Sequence, residues 1–155
     1  MIIVGLGNPH RGDDAAGILV AQGLAKRGIK AIQHEGSPLD LVNLWHATDC
    51  VIVIDAMSSC GSPGTIHTWD VSISDLPADV FRPSTHAFGL AETIRLARML
   101  DRLPKKLTVY GIEAAHFSAG APPLRAVLKA VEQTVDEIAS RCSTAEDNCS
   151  RHDPG

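Results

Sequence analysis

Short apolar runs alternate with amphipathic stretches along this chain. The apolar runs are rich in β-branched residues, as in strands buried inside a parallel sheet. Strands are predicted at residues 2–6, 29–33, 50–54 and 107–112. Helices are predicted at residues 14–28, from Ser37 onward, from Ser84 or Thr85 to 103, and at 123–141. This alternation of strand and helix favours crossover connections and a mostly parallel sheet.

Residues 65–71 show a different pattern, in which polar and apolar positions alternate. The alternation predicts an edge strand, for which an antiparallel orientation is one option. We therefore expect a single three-layer α/β/α domain over residues 1–142, built on a mostly parallel, twisted sheet of about five strands. Residues 143–155 are polar and end in Asp-Pro-Gly, which predicts a disordered tail.

The composition is typical of a globular protein, and 155 residues suffice for one domain with a substantial core. The net charge is −4 and the basic residues are scattered, which argues against a nucleic-acid partner or an anionic membrane surface. No stretch has the length of a membrane span or the character of a leader, so a cytoplasmic location is expected. The cysteines lack the spacing of a zinc site and are expected to be free thiols: Cys50, Cys60, Cys142 and Cys149.

A glycine-rich turn follows the first predicted strand and ends on two acids. Gly5, Gly7 and Gly12 break the strand pattern before a helix begins. Asp13 is placed to cap that helix, and Asp14 lies in its first turn, where the helix dipole favours negative charge. One acid is enough for a cap. The second carboxylate is therefore available to face the crevice at the carboxyl ends of the strands, where open α/β sheets bind ligands.

Acidic or imidazole side chains recur at this edge of the predicted sheet. Asp14 follows the first strand, Asp55 ends the strand predicted at residues 50–54, and His86 lies in the first turn of a predicted helix. Because parallel strands end at one edge, we expect these three side chains to converge. Two carboxylates and an imidazole suit nickel, zinc or iron with open coordination positions. His34 lies near the same edge and Cys60 in a loop beside it, both without an assigned role.

Several segments occur in the order and with the spacing of a known family. They are Gly5-Leu6-Gly7-Asn8 with Arg11-Gly12-Asp13-Asp14-Ala15-Ala16-Gly17, Val53-Ile54-Asp55-Ala56, Ser84-Thr85-His86 with Gly89-Leu90, and Tyr110-Gly111-Ile112-Glu113. Across roughly residues 1–140 the chain thereby resembles the hydrogenase maturation endopeptidases. The resemblance implies an α/β/α domain that removes a C-terminal extension from the large subunit of a nickel–iron hydrogenase after nickel insertion.

The resemblance also implies roles for individual residues. Asp14, Asp55 and His86 match the nickel-contacting positions of the family, in which the nickel belongs to the substrate. No tightly bound resident cofactor is expected, and three ligands leave room for the precursor's thiolates and for water. The positions expected to contact the substrate are Asn8, Gly36, Ser37 and Thr85. The implied partner is a nickel-loaded large-subunit precursor, and the chain is expected to be a monomer.

No familiar nucleophile motif identifies the attacking group, because the sequence has no Gly-x-Ser-x-Gly elbow and no paired Cys/His arrangement. Our hypothesis is a water polarised by the metal, with Asp14 or Asp55 as the base, in an aspartic-type, metal-dependent endopeptidase. The chain departs from the family at His34-Glu35-Gly36-Ser37, where Asp-Gly-Gly-Thr/Ser is frequent, and at Arg125, where Ser is expected. These departures leave the partner's identity more open than the activity.

Three other functions are compatible with parts of the sequence. Peptidyl-tRNA hydrolases also begin with Gly-Leu-Gly-Asn-Pro, but this chain lacks their Thr-Arg-His-Asn segment and their basic face. A dinucleotide-binding module would need a third glycine at His10, and Asp13 and Asp14 would repel a pyrophosphate. A nickel-delivery protein would use the same metal ligands without catalysis, and a cleavage assay distinguishes it from a protease.

Overall fold

The computed structural model describes residues 1–45, 48–77 and 89–150. At its centre is a five-stranded sheet in the order β2-β1-β3-β5-β4. The strands are β1 (Ile2–Leu6), β2 (Ile32–His34), β3 (Cys50–Met57), β4 (Ile66–Asp70) and β5 (Lys106–Glu113). Neighbouring strands are parallel except for β4, which runs antiparallel to β5 at one edge. The predicted mostly parallel sheet with an antiparallel edge strand is confirmed.

Helices cover both faces of this sheet. They are α1 (Ala16–Lys26), α2 (Leu41–Trp45), α3 (Leu90–Met99) and α4 (Arg125–Ser150). One core joins α1 and α4 to the sheet and includes Val131 and Ile52. The other joins α2 and α3 to the opposite face and includes Trp45, Ile94 and Val53. Because successive β3 residues enter opposite cores, the strand is apolar on both faces, as the continuous apolar run predicts.

Two strand boundaries differ from the sequence prediction. β3 does not stop at Asp55, because it stays paired with β5 as far as Met57 opposite Glu113. β2 begins later than the predicted residue 29, because the N–H of Ile29 donates to the carbonyl of Leu24 and closes the end of α1. Pairing and capping partners, rather than the apolar pattern, set these ends.

The predicted cap at Asp13 is wrong. A 3-10 turn at Gly12–Ala15 precedes α1, and neither this turn nor α1 receives a side-chain cap. The Asp13 carboxylate instead bonds to a distant loop. The start predicted at Ser37 does behave as expected, since its Oγ accepts a hydrogen bond from the N–H of Leu39 at 3.3 Å and Pro38 takes the first helical position.

The two C-terminal helices differ from the prediction in length. α3 ends at Met99 rather than at 103, because Asp101 adopts a left-handed φ of 54° and the N–H of Arg102 donates back to Ala97. Its predicted start at Ser84 or Thr85 lies outside the described residues.

α4 continues to Ser150, so the first part of the tail predicted as disordered is helical. No Gly or Pro interrupts the sequence between Arg125 and Asp153. The hydroxyl groups of Ser143 and Thr144 donate to carbonyl groups one turn back, so these polar side chains find hydrogen-bond partners within the helix. Polarity alone was therefore a poor guide to the helix end.

The carboxyl ends of β1, β2, β3 and β5 lie at one edge of the sheet, because these strands are parallel. Asp14 follows β1 at this edge, Asp55 lies near the end of β3, and Glu113 ends β5. Within the described ranges, no helix is both long enough and apolar enough to cross a membrane.

Candidate functional site

Two glycines allow α1 to begin directly on the sheet. A Cβ at Gly17 would lie 2.2 Å from the carbonyl oxygen of Leu6 and 2.4 Å from that of Ile54. Gly7 has a φ of 142°, and a Cβ there would lie 2.0 Å from the carbonyl oxygen of Asp14. Any other residue at these positions would push the turn away. The backbone of Asp14 is thereby held against the ends of β1 and β3.

Asp14 and Asp55 lie close enough together for their charges to interact, and both are partly buried. Burial and the negative charge of Asp14 together raise the pKa of Asp55 to about 8, against a lowering hydrogen bond from the backbone of Ala56. Like charges at close range disfavour ionisation of both groups. The structure therefore brings together two of the predicted site residues as a carboxyl pair that holds a proton near neutral pH.

The remaining predicted metal ligand, His86, lies in segment 78–88, outside the described residues, as does Thr85. Over residues 1–45, 48–77 and 89–150, no group of three or more His, Cys, Asp and Glu side chains is close enough to hold a metal ion. The described part of the site thus contributes two carboxylates, those of Asp14 and Asp55.

Asp13, the neighbour of Asp14, is completely buried. Its Oδ2 accepts hydrogen bonds from the backbone N–H groups of Ala115 and His116, both at 2.9 Å, and its Oδ1 accepts one from Leu124 at 2.7 Å. These bonds fasten the loop between β5 and α4 to the turn after β1. No local sequence signal could have revealed this role, because the nearest partner is 102 positions away.

Glu113 is a second completely buried carboxylate at the same edge. Its Oε1 accepts from the N–H groups of Ser59 at 2.7 Å and Gly61 at 3.0 Å, and its Oε2 accepts from the Ser59 hydroxyl at 2.8 Å. Burial alone would raise the pKa of Glu113, but these bonds and nearby His67 lower the pKa below its ordinary value. In the sequence, Glu113 is part of a family-like segment and has no assigned role.

Three residues predicted to contact the substrate lie around the ends of β1 and β2. Asn8 Oδ1 accepts a hydrogen bond from the N–H of His10 at 2.9 Å, which stabilises the turn. Gly36 is exposed, and the carbonyl of Ser37 lies 2.9 Å from Nε2 of His34. These residues therefore line the same carboxyl edge as Asp14 and Asp55, on the β2 side.

Relatives were identified by sequence. A family model described as hydrogenase maturation protease matches residues 30–141. The hydrogenase expression/formation protein HupM of Azotobacter chroococcum is 26% identical over 137 residues, which cover 84% of this chain and 65% of that protein. The hydrogenase 2 maturation protease of Escherichia coli is 27% identical over 119 residues, covering 72% of this chain and 71% of that protein. The matched part of HupM is thus less than two thirds of its length.

Solved structures share the fold. The hydrogenase maturating endopeptidase HybD from E. coli matches with a TM-score of 0.71 at 20% identity, covering 93% of this chain and 92% of that chain. The hydrogenase maturation protease HycI from Thermococcus kodakarensis matches with a TM-score of 0.70 at 23% identity, covering 90% and 89%. At these identities the likeness establishes the architecture of the chain.

Proposed function

This chain belongs to the hydrogenase maturation protease family, and we propose that it is an endopeptidase that removes a C-terminal extension from a nickel–iron hydrogenase large-subunit precursor after nickel insertion. The observation that carries the proposal is the carboxyl pair of Asp14 and Asp55 at the carboxyl edge of the sheet. Open α/β sheets bind ligands at this edge, beyond the carboxyl ends of the strands. Family membership also favours a protease over the peptidyl-tRNA hydrolase alternative.

The family resemblance implies a metal that is carried by the substrate. Asp14 and Asp55 offer carboxylate oxygens, and His86 would add an imidazole nitrogen, as the family resemblance implies. A closed structural site would take four protein ligands, whereas three leave positions for the precursor's thiolates and for water. Nickel in the precursor then serves as the element by which the protease recognises a loaded precursor, and it leaves with the product.

Hydrolysis adds water across one peptide bond of the precursor. The water oxygen bonds to the carbonyl carbon, the carbon–nitrogen bond breaks, and the leaving nitrogen takes up a proton. Asp14 or Asp55 accepts the proton of the attacking water and returns a proton to the leaving amine. In the protein without metal, burial and the charge of Asp14 raise the pKa of Asp55 to about 8. A metal ion held by the two carboxylates would favour their charged forms. The substrate nickel polarises the water or the carbonyl.

Incubation with a nickel-loaded, unprocessed large subunit, followed by measurement of its mass, tests the proposal. The wild-type protein should shorten the precursor, and Asp14→Asn and Asp55→Asn should each slow cleavage by about 100-fold or more. Asp136→Asn is the matched control, because Asp136 pairs with Arg27 on the outer helices. It should keep the wild-type rate. Wild-type rates in both site variants would contradict the assigned roles.

Two incubations distinguish the protease from a nickel-delivery protein, which would use the same carboxylates. A delivery protein that carries nickel would raise the nickel content of an unloaded precursor and leave the length of a loaded precursor unchanged. A protease would shorten the loaded precursor and leave its nickel content unchanged. Mass analysis of the loaded precursor and elemental analysis of the unloaded precursor therefore separate the two functions.

A further inference from the structure

The loop between β3 and β4, residues 58–65, leaves the sheet just beyond Asp55 and is exposed along most of its length. A loop with few buried apolar contacts would ordinarily open easily. Here, Ser59 and Gly61 both donate their N–H groups to the buried carboxylate of Glu113. The main chain of Glu113 adds two more bonds at 2.8 Å each, one donated to the carbonyl of Thr65 and one accepted from the N–H of Gly64.

This arrangement fixes the shape of the exposed side of the β3–β4 loop. Cys60 stands between the two bonded residues and has a φ of 62°, in the left-handed region that non-glycine residues seldom adopt. A Cβ at Gly61 would lie 3.3 Å from Cδ of Glu113, so the loop packs closely on the carboxylate. A loop ordered in advance binds an extended ligand with less loss of conformational entropy on association.

We propose that Glu113 is a positioning residue that holds the β3–β4 loop as one wall of the groove that receives the precursor's C-terminal extension. The proposal rests on the function proposed above. Glu113 is completely buried and acts only through the loop. It lies opposite Met57 on β5, the neighbour of β3, and the loop it holds begins three residues after Asp55. Loss of this support should weaken substrate binding more than the chemical step.

Variants of graded severity measure this support. Glu113→Gln keeps an acceptor for both N–H groups and an amide that donates to the Ser59 hydroxyl, so its KM should stay within about twofold of wild type. Ser59→Ala removes one of the three side-chain bonds and should raise KM by about threefold. Glu113→Ala removes all three and should raise KM by about tenfold or more, with kcat changed by less than about threefold.

Two matched controls make the same chemical changes away from the site. Glu137→Ala removes a carboxylate on α4 that accepts a hydrogen bond from Tyr110, and Ser143→Ala removes a hydroxyl that donates within α4. Both controls should keep the wild-type KM. Should Glu113→Ala fail to fold, Ser59→Ala serves as the test, because Ser59 is exposed.

Amide hydrogen exchange observes the loop independently of activity. In Glu113→Ala, the amides of Ser59 and Gly61 should exchange at least about tenfold faster than in wild type. Amides of β1 and β3 should exchange at rates close to wild type. Glu113→Gln should show both slow exchange in the loop and a KM close to that of wild type. General destabilisation of the protein would not produce this combination.

The outcomes separate this proposal from the function on which it rests. Unchanged loop exchange in folded Glu113→Ala would show that Glu113 does not hold the loop. Faster exchange with an unchanged KM would show that the loop is held but is no part of the groove. Either result overturns the proposal while the protease function stands. A wild-type protein that leaves the loaded precursor uncleaved would instead overturn the protease function, and with it the role of Glu113 in that reaction.

Discussion

Two adjacent acids after β1 have different roles. Asp13 is completely buried and bonds to three backbone N–H groups of the loop that follows β5. Asp14 is partly exposed and faces Asp55. The short 3-10 turn at Gly12–Ala15 buries the first of these side chains and leaves the second partly exposed. The pair is therefore one structural acid and one acid of the proposed site.

Substitution by alanine should separate these roles. Asp13→Ala removes a buried carboxylate and the three hydrogen bonds that it accepts. Hydrogen bonds to a charged group contribute about 1.5–3 kcal/mol each, so the free energy of unfolding should fall by about 3 kcal/mol or more. Asp14→Ala relieves repulsion with Asp55 and should change the free energy of unfolding by less than about 1 kcal/mol. Urea denaturation measures both. Similar losses in the two variants would contradict the division of roles.

The raised pKa of Asp55 predicts a pH-dependent stability. Between pH 3.8 and about 8 the folded protein holds a proton at Asp55 that the unfolded chain has released, so this group makes stability fall as pH rises through that interval. Asp55→Asn removes this dependence, and its melting temperature should gain on the wild type as pH rises. Asp14→Asn should lower the pKa of Asp55 and so narrow the pH interval over which stability falls. A constant difference between Asp55→Asn and wild type would contradict the pKa assignment.

At the residue scale, the sequence predicts those side chains whose placement follows from topology alone. Asp14 and Asp55 could be placed together because parallel strands end at one edge. Asp13 and Glu113 could not be assigned, because their partners are brought to them by folding from distant parts of the chain. The residue type alone does not show that a carboxylate will be buried, because burial depends on the N–H groups that folding brings to it.

At the element scale, the site depends on how closely α1 approaches the ends of β1 and β3. The N-terminal turn of α1 packs its backbone directly on two strand carbonyls at Gly17. The position of Asp14 is consequently fixed by main-chain contacts, which a small increase in side-chain volume would disturb.

Gly17→Ala should therefore impair both stability and cleavage. Its Cβ would lie 2.2 Å from the carbonyl of Leu6, so α1 must shift, and the free energy of unfolding should fall by about 1–3 kcal/mol or more. Cleavage should slow by about tenfold or more, because Asp14 moves with the turn. Gly28→Ala is the control: it has a positive φ of 77° but nothing within 4 Å, and should cost about 1 kcal/mol with normal cleavage. Equal behaviour of the two variants would contradict this view.

The elements themselves could largely be predicted, and their ends could not. Apolar runs identified each strand, and the alternating pattern identified β4 as an edge strand. The ends of β2 and β3 depend on hydrogen-bond partners elsewhere in the chain. The end of α4 depends on polar side chains that satisfy their own helix, which an apolar pattern does not detect.

At the scale of the whole molecule, the faces of the sheet form the cores and its carboxyl edge carries the proposed site. Both faces of the sheet are covered by helices and form the two cores. Three segments lie at the carboxyl edge: the turn after β1, the β3–β4 loop and the loop after β5. Each is held by hydrogen bonds to a buried carboxylate or by a close glycine contact. These contacts hold the loops in place around Asp14 and Asp55, the two described residues of the proposed site.

The central claim is that the metal which completes this site arrives with the precursor. Cleavage of apo and nickel-loaded large subunit at equal concentration, followed by mass, tests this claim most directly. Two incomplete ligand sets gain affinity only when the metal joins them, so the loaded precursor should be shortened and the apo precursor left intact. Free nickel added to the protease should not replace loading of the precursor. Equal cleavage rates on the two forms would contradict the claim.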